Sequence, residues 1–418
     1  MSSRTEKHEA DAIDSAQSVR RRLATLKAAG FAALLFLVAF PRASLVAGPF
    51  DHTPHGERGA RYALAAAGSL ESSPPELARA AAHDLSLPAL SVCTSALHIL
   101  RPRDWTPDAT GTPLGAETPI RLPFLLMQII AAVALAYSLE RSHGPGLAML
   151  ALSAWAVIPL GILDSVTPGA RGPALAGSLL ALAGMASGSS LRALPGALLA
   201  AVFDPAALWI AAPGALVLSR ERRFLDPGFL AITTGLVLGS LLAPRTDPAL
   251  SGLEIQDLGT GIVVAAVTGI LARSLRAASP RIRARLQPLE IGGATARVEL
   301  VVPIASGSAM AASLGAEPAY LLPAIAAGFA AALAQISRPL FALRAGLAPL
   351  VALVTLAALP ALANLERTLE AGGGTDAYEA GRSRAGGSYA LDPPPDGTEK
   401  PEGGSWSEMF YAWDGSGG

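Results

Sequence analysis

The chain has 418 residues, of which 51% are hydrophobic, 16% charged and 5% aromatic, and its formal net charge is −1. That apolar balance excludes an ordinary soluble domain, and the near-zero charge excludes the broad basic surface by which proteins hold nucleic acid. The single Cys93 cannot close an intrachain disulfide.

Ala/Leu/Val-rich segments run from Leu26 to about Leu362, separated by short loops that carry arginine. A bilayer core takes roughly 20 apolar helical residues to cross. Unpaired backbone amides in lipid cost several kcal/mol, so a spanning chain must be helical or a closed barrel. Continuous apolar runs, rather than alternating ones, select helices. The expectation is an all-α polytopic membrane protein. Its parts are a cytoplasmic segment 1–26, a multi-pass domain 27–363 with a first external loop at 48–118 holding short interfacial helices, and a disordered external tail 364–418.

Arg20, Arg21, Arg22 and Lys27 precede the first apolar stretch, Ala28 to Gly48, which Pro41 and Arg42 interrupt. A retained first helix is expected rather than a cleaved signal peptide, because the polar leader is long and Ala-Ser-Leu-Val-Ala-Gly matches a cleavage site loosely. With basic loops kept inside, the first helix leaves the membrane by Ala47 and a second span, Ile120 to Leu139, returns to Arg141. The third, Leu147 to Leu163, exits to a loop with Asp164 and Arg171, and the fourth, Pro173 to Ser190, returns to Arg192. Leu194 to Leu218 is broken by Asp204-Pro205 into a hairpin of two short helices, ending at Arg220, Arg222 and Arg223.

Gly228 to Ala243 then leads outside, and Leu258 to Leu271 returns to the richest basic loop, with Arg273, Arg276, Arg281, Arg283, Arg285 and Arg297. Val298 to Leu314, Tyr320 to Ile336 and Leu340 to Leu362 follow, the last two separated by an internal turn at Arg338. About eleven helices result, with the N-terminus cytoplasmic and the C-terminus external. The Gly/Pro/Ser-rich tail ends in Trp406, Phe410, Tyr411 and Trp413, which suit either the membrane interface or a docking contact with a protein partner. High Ala/Gly/Pro/Arg usage is associated with GC-rich bacterial genomes, and so with a bacterial inner or plasma membrane.

The chemistry-bearing residues gather in the first external loop: Asp51, His52, His55, Glu57, Arg58 and Arg61. A carboxylate can take the proton of an acceptor hydroxyl, and arginines can spread the charge of a phosphate leaving group. Arginine suits that task because its fork matches phosphate oxygens. A solvated loop with incidental ion pairs is the plain alternative. Asp51, His52 and His55 also raise a divalent metal, without a second ligand cluster in the sequence. Asp204 stands within an apolar hairpin, where a charge faces a cavity or partner or simply breaks the helix with Pro205.

In order, these features resemble the membrane glycosyltransferases of the C-type fold (GT-C), in particular the protein O-mannosyltransferase and aminoarabinose transferase branch. Glu57 to Leu64 (Glu-Arg-Gly-Ala-Arg-Tyr-Ala-Leu) is similar to the family's Asp-Glu-Ala-Arg-Tyr-Ala stretch. Ser86 to Leu90 stands where a Lys-Pro-Pro-Leu motif falls, Arg121-Leu122-Pro123 matches Arg-Leu-Pro, and Val166 to Leu175 occupies the second external loop. Phe203-Asp204-Pro205 lies where the family often has a Lys-Gly-Pro turn. The resemblance covers about residues 27 to 225. It implies a polyprenyl-phosphate-linked sugar donor, Glu57 or Asp51 as catalytic base, and Arg58, Arg61 or Arg171 at the donor phosphate. Asp164 and Asp204 are candidate supporting residues by position, and no cofactor is expected beyond the divalent metal already raised. The adjacent Asp-Glu pair is missing, Ser86 replaces the motif lysine, and Ala170-Arg171-Gly172-Pro173 stands for Arg-Pro-Asp. A non-catalytic scaffold of the same fold, or a lipid or solute transporter, therefore stands beside a transferase acting on the non-cytoplasmic face.

Overall fold

The computed structural model describes residues 56–70, 85–100, 117–221, 226–242, 260–279, 298–315 and 317–342, with isolated positions 32, 35, 38, 39, 42, 45, 46, 79 and 82. Regular structure among them is all helical. Two helices come first, α1 (Gly56–Gly68) and α2 (Leu87–Leu100), followed by the long α3 (Glu117–His143). Then come α4 (Pro145–Val157), α5 (Pro159–Val166), α6 (Arg171–Ala186), α7 (Ala193–Phe203) and α8 (Leu208–Glu221). The series continues with α9 (Pro227–Leu242), α10 (Thr260–Ala278), α11 (Val301–Gly315) and α12 (Leu322–Ala342).

Two of the helical stretches, Glu117–His143 and Pro318–Gln335, are long and apolar enough to cross a membrane; α4 and α5, bent by 78°, make a third if they form one span. Other apolar helices, such as Leu87–Leu100 and Val301–Gly315, are shorter. The described residues thus carry fewer full-length spans than the sequence leads one to expect. Proline and acidic residues account for part of the shortening. Asp204, Asp226 and Glu317 each precede a proline, and each side chain accepts a backbone N–H two residues on, from Ala206, Gly228 and Ala319. Such caps satisfy the first donors of a new helix, and proline fits its first turn. Each acidic-Pro step therefore starts a new helix.

Several details differ from expectation. Asp164 and Arg171, expected in a loop, lie in α5 and in the first turn of α6, because the chain resumes helix on either side of a short link. Arg273 and Arg276, expected in a loop, lie near the end of α10. The turn expected at Arg338 is replaced by helix, since α12 runs on to Ala342. Segments 343–362 and 364–418, the basic residues 281–297, Asp51, His52, His55 and most of 1–47 lie outside the described residues.

The bend between α4 and α5 shows how the core is stitched. Pro159 has no N–H, so the carbonyl of Trp155 loses its helical donor. Arg42, on helical backbone and fully buried, supplies the replacement: Nη2 donates to Trp155 O at 3.0 Å and Nη1 to Ala156 O at 3.1 Å. Elsewhere close helix contact depends on glycine. A Cβ on Gly177 of α6 would lie 2.5 Å from Ala200 N of α7, and one on Gly196 of α7 would lie 2.5 Å from Ala181 N. Small residues let backbones meet where lipid offers no hydrophobic drive between helices. The resulting core joins residues from every helix from α3 to α12.

Candidate functional site

A small roof forms above one end of this bundle. Tyr62 and Leu64 of α1 pack with Cys93 and Leu97 of α2 and with Ile120 and Phe124 from the first turns of α3. The Ser86 N–H donates to Tyr62 Oη at 3.2 Å, fixing α1 against the entry to α2. Burial pushes the Cys93 thiol up, so it is a packing residue rather than a nucleophile. Tyr62 to Ala67 of α1 are all buried, so this stretch is enclosed on every side, while Arg58 and Arg61 before it are half-buried.

Beneath the roof lies a buried charge cluster. Arg171 sits in the first turn of α6, where the helix dipole disfavours a cation. Two carboxylates compensate. Arg171 Nη1 donates to Glu317 Oε1 at 3.1 Å, and Nε lies 3.6 Å from Asp164 Oδ1. Gln128 of α3 donates to Asp164 Oδ2. Arg171, Asp164 and Glu317 side chains are each 5% exposed or less. Arg58, on the roof helix α1, acts electrostatically on Asp164. Burial pushes the Glu317 carboxyl above its ordinary value, and Arg171 offsets only part of that rise.

Asp204 joins the same end from the break between α7 and α8. Its Oδ2 accepts from Tyr320 Oη at 2.5 Å while its Oδ1 caps Ala206. Tyr320 is three residues beyond Glu317 in the turn Pro318–Leu321, so Asp204 bonds this segment directly and Asp164 reaches its cap through Arg171. Chemically, this end offers carboxylates able to hold a proton or bind a cation, and arginines able to face an anion.

The expected site residues fall out as follows. Asp164 and Arg171 are brought into contact, Arg58 acts electrostatically on Asp164, and Asp204 bonds Tyr320. Arg61 is half-buried on α1, one turn after Arg58. Glu57 lies in the first turn of α1, but its side chain is outside the described residues, as is all of Asp51. Gln128, Glu317 and Tyr320 escaped the sequence reading. A lone amide within an apolar span and the repeated acidic-Pro step were the signals that could have found them.

A second cluster lies at the far end of α3. Glu299, before α11, has Oε2 at 3.2 Å from His143 Nε2 and at 3.1 Å from Arg273 Nη1 of α10, while its Oε1 caps Val301 N–H. Burial alone would raise this carboxyl, but the hydrogen bond and charge of His143, the Arg273 guanidinium and the cap hold it down at about 2. Among the described residues no three His, Cys, Asp or Glu side chains group as metal ligands. The Asp51, His52 and His55 cluster raised for a divalent ion lies outside them. No protein-family model, curated protein or solved structure matches the chain.

Proposed function

We propose that the chain is a membrane-embedded transferase that moves a sugar from a polyprenyl-phosphate donor to an acceptor on the non-cytoplasmic face. In this reading about eleven spans cross a bacterial inner membrane, with the N-terminus inside. The observation that supports it is convergence. Residues far apart in the chain, Arg58, Asp164, Arg171 and Asp204, meet or are linked at one end of the bundle, and α1 also carries Glu57.

The chemistry assigned to that end is an inverting substitution. Glu57, or Asp51, takes the acceptor hydroxyl proton as the acceptor oxygen bonds to the anomeric carbon. The bond from that carbon to the phosphate oxygen breaks, and the phosphate leaves with the bonding electrons. Arg58 and Arg61 spread its charge from the roof. Arg171 belongs to the phosphate side as well, held in place by Asp164 and Glu317. No cofactor is assigned. A divalent metal, should one take part, would draw on Asp51 and the two histidines of that loop.

The test uses purified full-length protein in lipid nanodiscs, given a panel of short-chain polyprenyl-phosphate hexoses and pentoses. Release of polyprenyl phosphate is expected for at least one donor, lost in Glu57→Gln or Asp51→Asn, and weakened in donor dependence by Arg58→Ala. Release that is unchanged in Glu57→Gln, Asp51→Asn and Arg58→Ala, or found with none of the donors, overturns the reading.

A second reading rests on the closure of the Arg171 network. A guanidinium already engaged by two buried carboxylates is also how a structural brace is built. A non-catalytic scaffold would keep the roof and floor together yet bind no polyprenyl phosphate. Native mass spectrometry with polyprenyl phosphate alone separates the two.

A further inference from the structure

We infer that the groove between α3 and α6 is a binding site for an anionic phospholipid of the cytoplasmic leaflet, one acyl chain lying along the groove and the phosphate resting on Arg192 and Arg141. The groove measures about 430 Å³ and is lined over most of its length by apolar side chains, among them Ile129, Val133 and Leu180. Val133 and Leu180 are 41% and 36% exposed, so this wall is open rather than closed over by protein. Ile129 to Tyr137 spans about 12 Å along α3, the scale of an acyl segment rather than of a small solute.

Polarity is confined to one end. Tyr137, Ser187 and Arg192 line it, and no acidic side chain lines any part of the groove. Arg141 stands one turn beyond Tyr137, its Nε donating to Tyr137 Oη at 3.1 Å and its guanidinium carbon 5.5 Å above the ring centroid. Both arginines are exposed. Among the described residues neither forms a carboxylate ion pair, unlike Arg171 and Arg273; Glu140, next to Arg141 in the chain, acts on it only electrostatically. An apolar channel ending in two solvent-facing cations complements an acyl chain joined to an anionic headgroup. Basic pockets between spanning helices on the cytoplasmic side hold such lipids. The site rests on the membrane reading and is independent of sugar transfer, which belongs to the opposite end of α3.

The test is native mass spectrometry of the full chain released from mild detergent after equilibration with phosphatidylglycerol or phosphatidylcholine of identical acyl chains. Wild type should retain phosphatidylglycerol in preference. Arg192→Gln and Arg141→Gln should each weaken that preference by about fivefold. Val133→Trp, which fills the groove, should lower retention of both lipids. Inorganic phosphate at millimolar concentration should not compete, because the apolar chain supplies much of the affinity. A preference unchanged in the Arg141→Gln/Arg192→Gln double variant overturns the proposal, as does full competition by inorganic phosphate. Thermal unfolding of each variant distinguishes loss of the site from loss of the fold.

Discussion

The two charge clusters at the ends of α3 are inverted copies of one motif. At the roof end one guanidinium, Arg171, stands between two carboxylates; at the far end one carboxylate, Glu299, stands between a histidine and a guanidinium. Exposure differs too. The Arg171, Asp164 and Glu317 side chains are 5% exposed or less, whereas Glu299 is 28% exposed. A buried excess of acid costs solvation and is kept where something uses it, while a partly wet acid with surplus cations ties helices at little cost. In the proposed reading the roof end carries the chemistry and the far end anchors the helices.

The largest expected effect comes from breaking the first cluster on one side. Arg171→Ala leaves two carboxylates buried without their cation, and the expected cost is about 3–5 kcal/mol, read as a lower unfolding temperature in detergent. Replacing all three partners, as Arg171→Met with Asp164→Leu and Glu317→Gln, should restore much of that stability while abolishing any donor binding. If Arg171→Ala unfolds at the wild-type temperature, the cluster carries no buried electrostatic weight and the contrast between the ends collapses.

pH separates the clusters next, because Glu299 and Glu317 are pushed in opposite directions. Glu299 titrates near 2 in the folded protein against 4.5 ordinarily, so the folded state binds fewer protons in that interval. Its contribution, at most about 3 kcal/mol, is full above pH 4.5 and is lost as pH falls through 2. Glu299→Gln should remove that acid-side loss. Glu317 is raised, so between its ordinary and folded values the folded state binds more protons, and stability falls as pH rises. Glu317→Gln should therefore flatten the slope above pH 4.5. Denaturant titrations from pH 3 to 8 check both, and slopes of the same sign for the two residues would remove the distinction.

The sequence revealed much of the framework and less of the packing. The second expected span, Ile120 to Leu139, lies inside α3, and the hairpin break at Asp204-Pro205 falls where α7 ends, because apolar length and an acidic-Pro step are local signals. Arg171 and Asp164 were legible as neighbouring charges, although they lie on α5 and α6 rather than in a loop. Their partner Glu317 was not, since it lies 146 residues from Arg171 and only packing joins them. The bend at Pro159 was hidden for a similar reason: its freed carbonyl is satisfied by Arg42, more than a hundred residues earlier in the chain. The charge at Arg338, next to Pro339, suggested a boundary, yet the helix runs through it to Ala342.

The smallest effect sharpens the link between Asp204 and the charge cluster. Tyr320→Phe removes the hydroxyl that reaches Asp204 Oδ2 but keeps the ring, which is fully buried in the main core. Asp204 retains its cap on Ala206, so the loss should be about 1–2 kcal/mol. A structural tie predicts that loss in unfolding temperature and nothing more. A shared role with the Arg171 cluster predicts in addition that Tyr320→Phe and Glu317→Gln are not additive, because both act on the turn Pro318–Leu321 that holds the two acids in register. Additive costs in the double-mutant cycle would detach Asp204 from the candidate site and leave it a helix cap, and the roof end would then be built from Arg58, Gln128, Asp164, Arg171 and Glu317 alone.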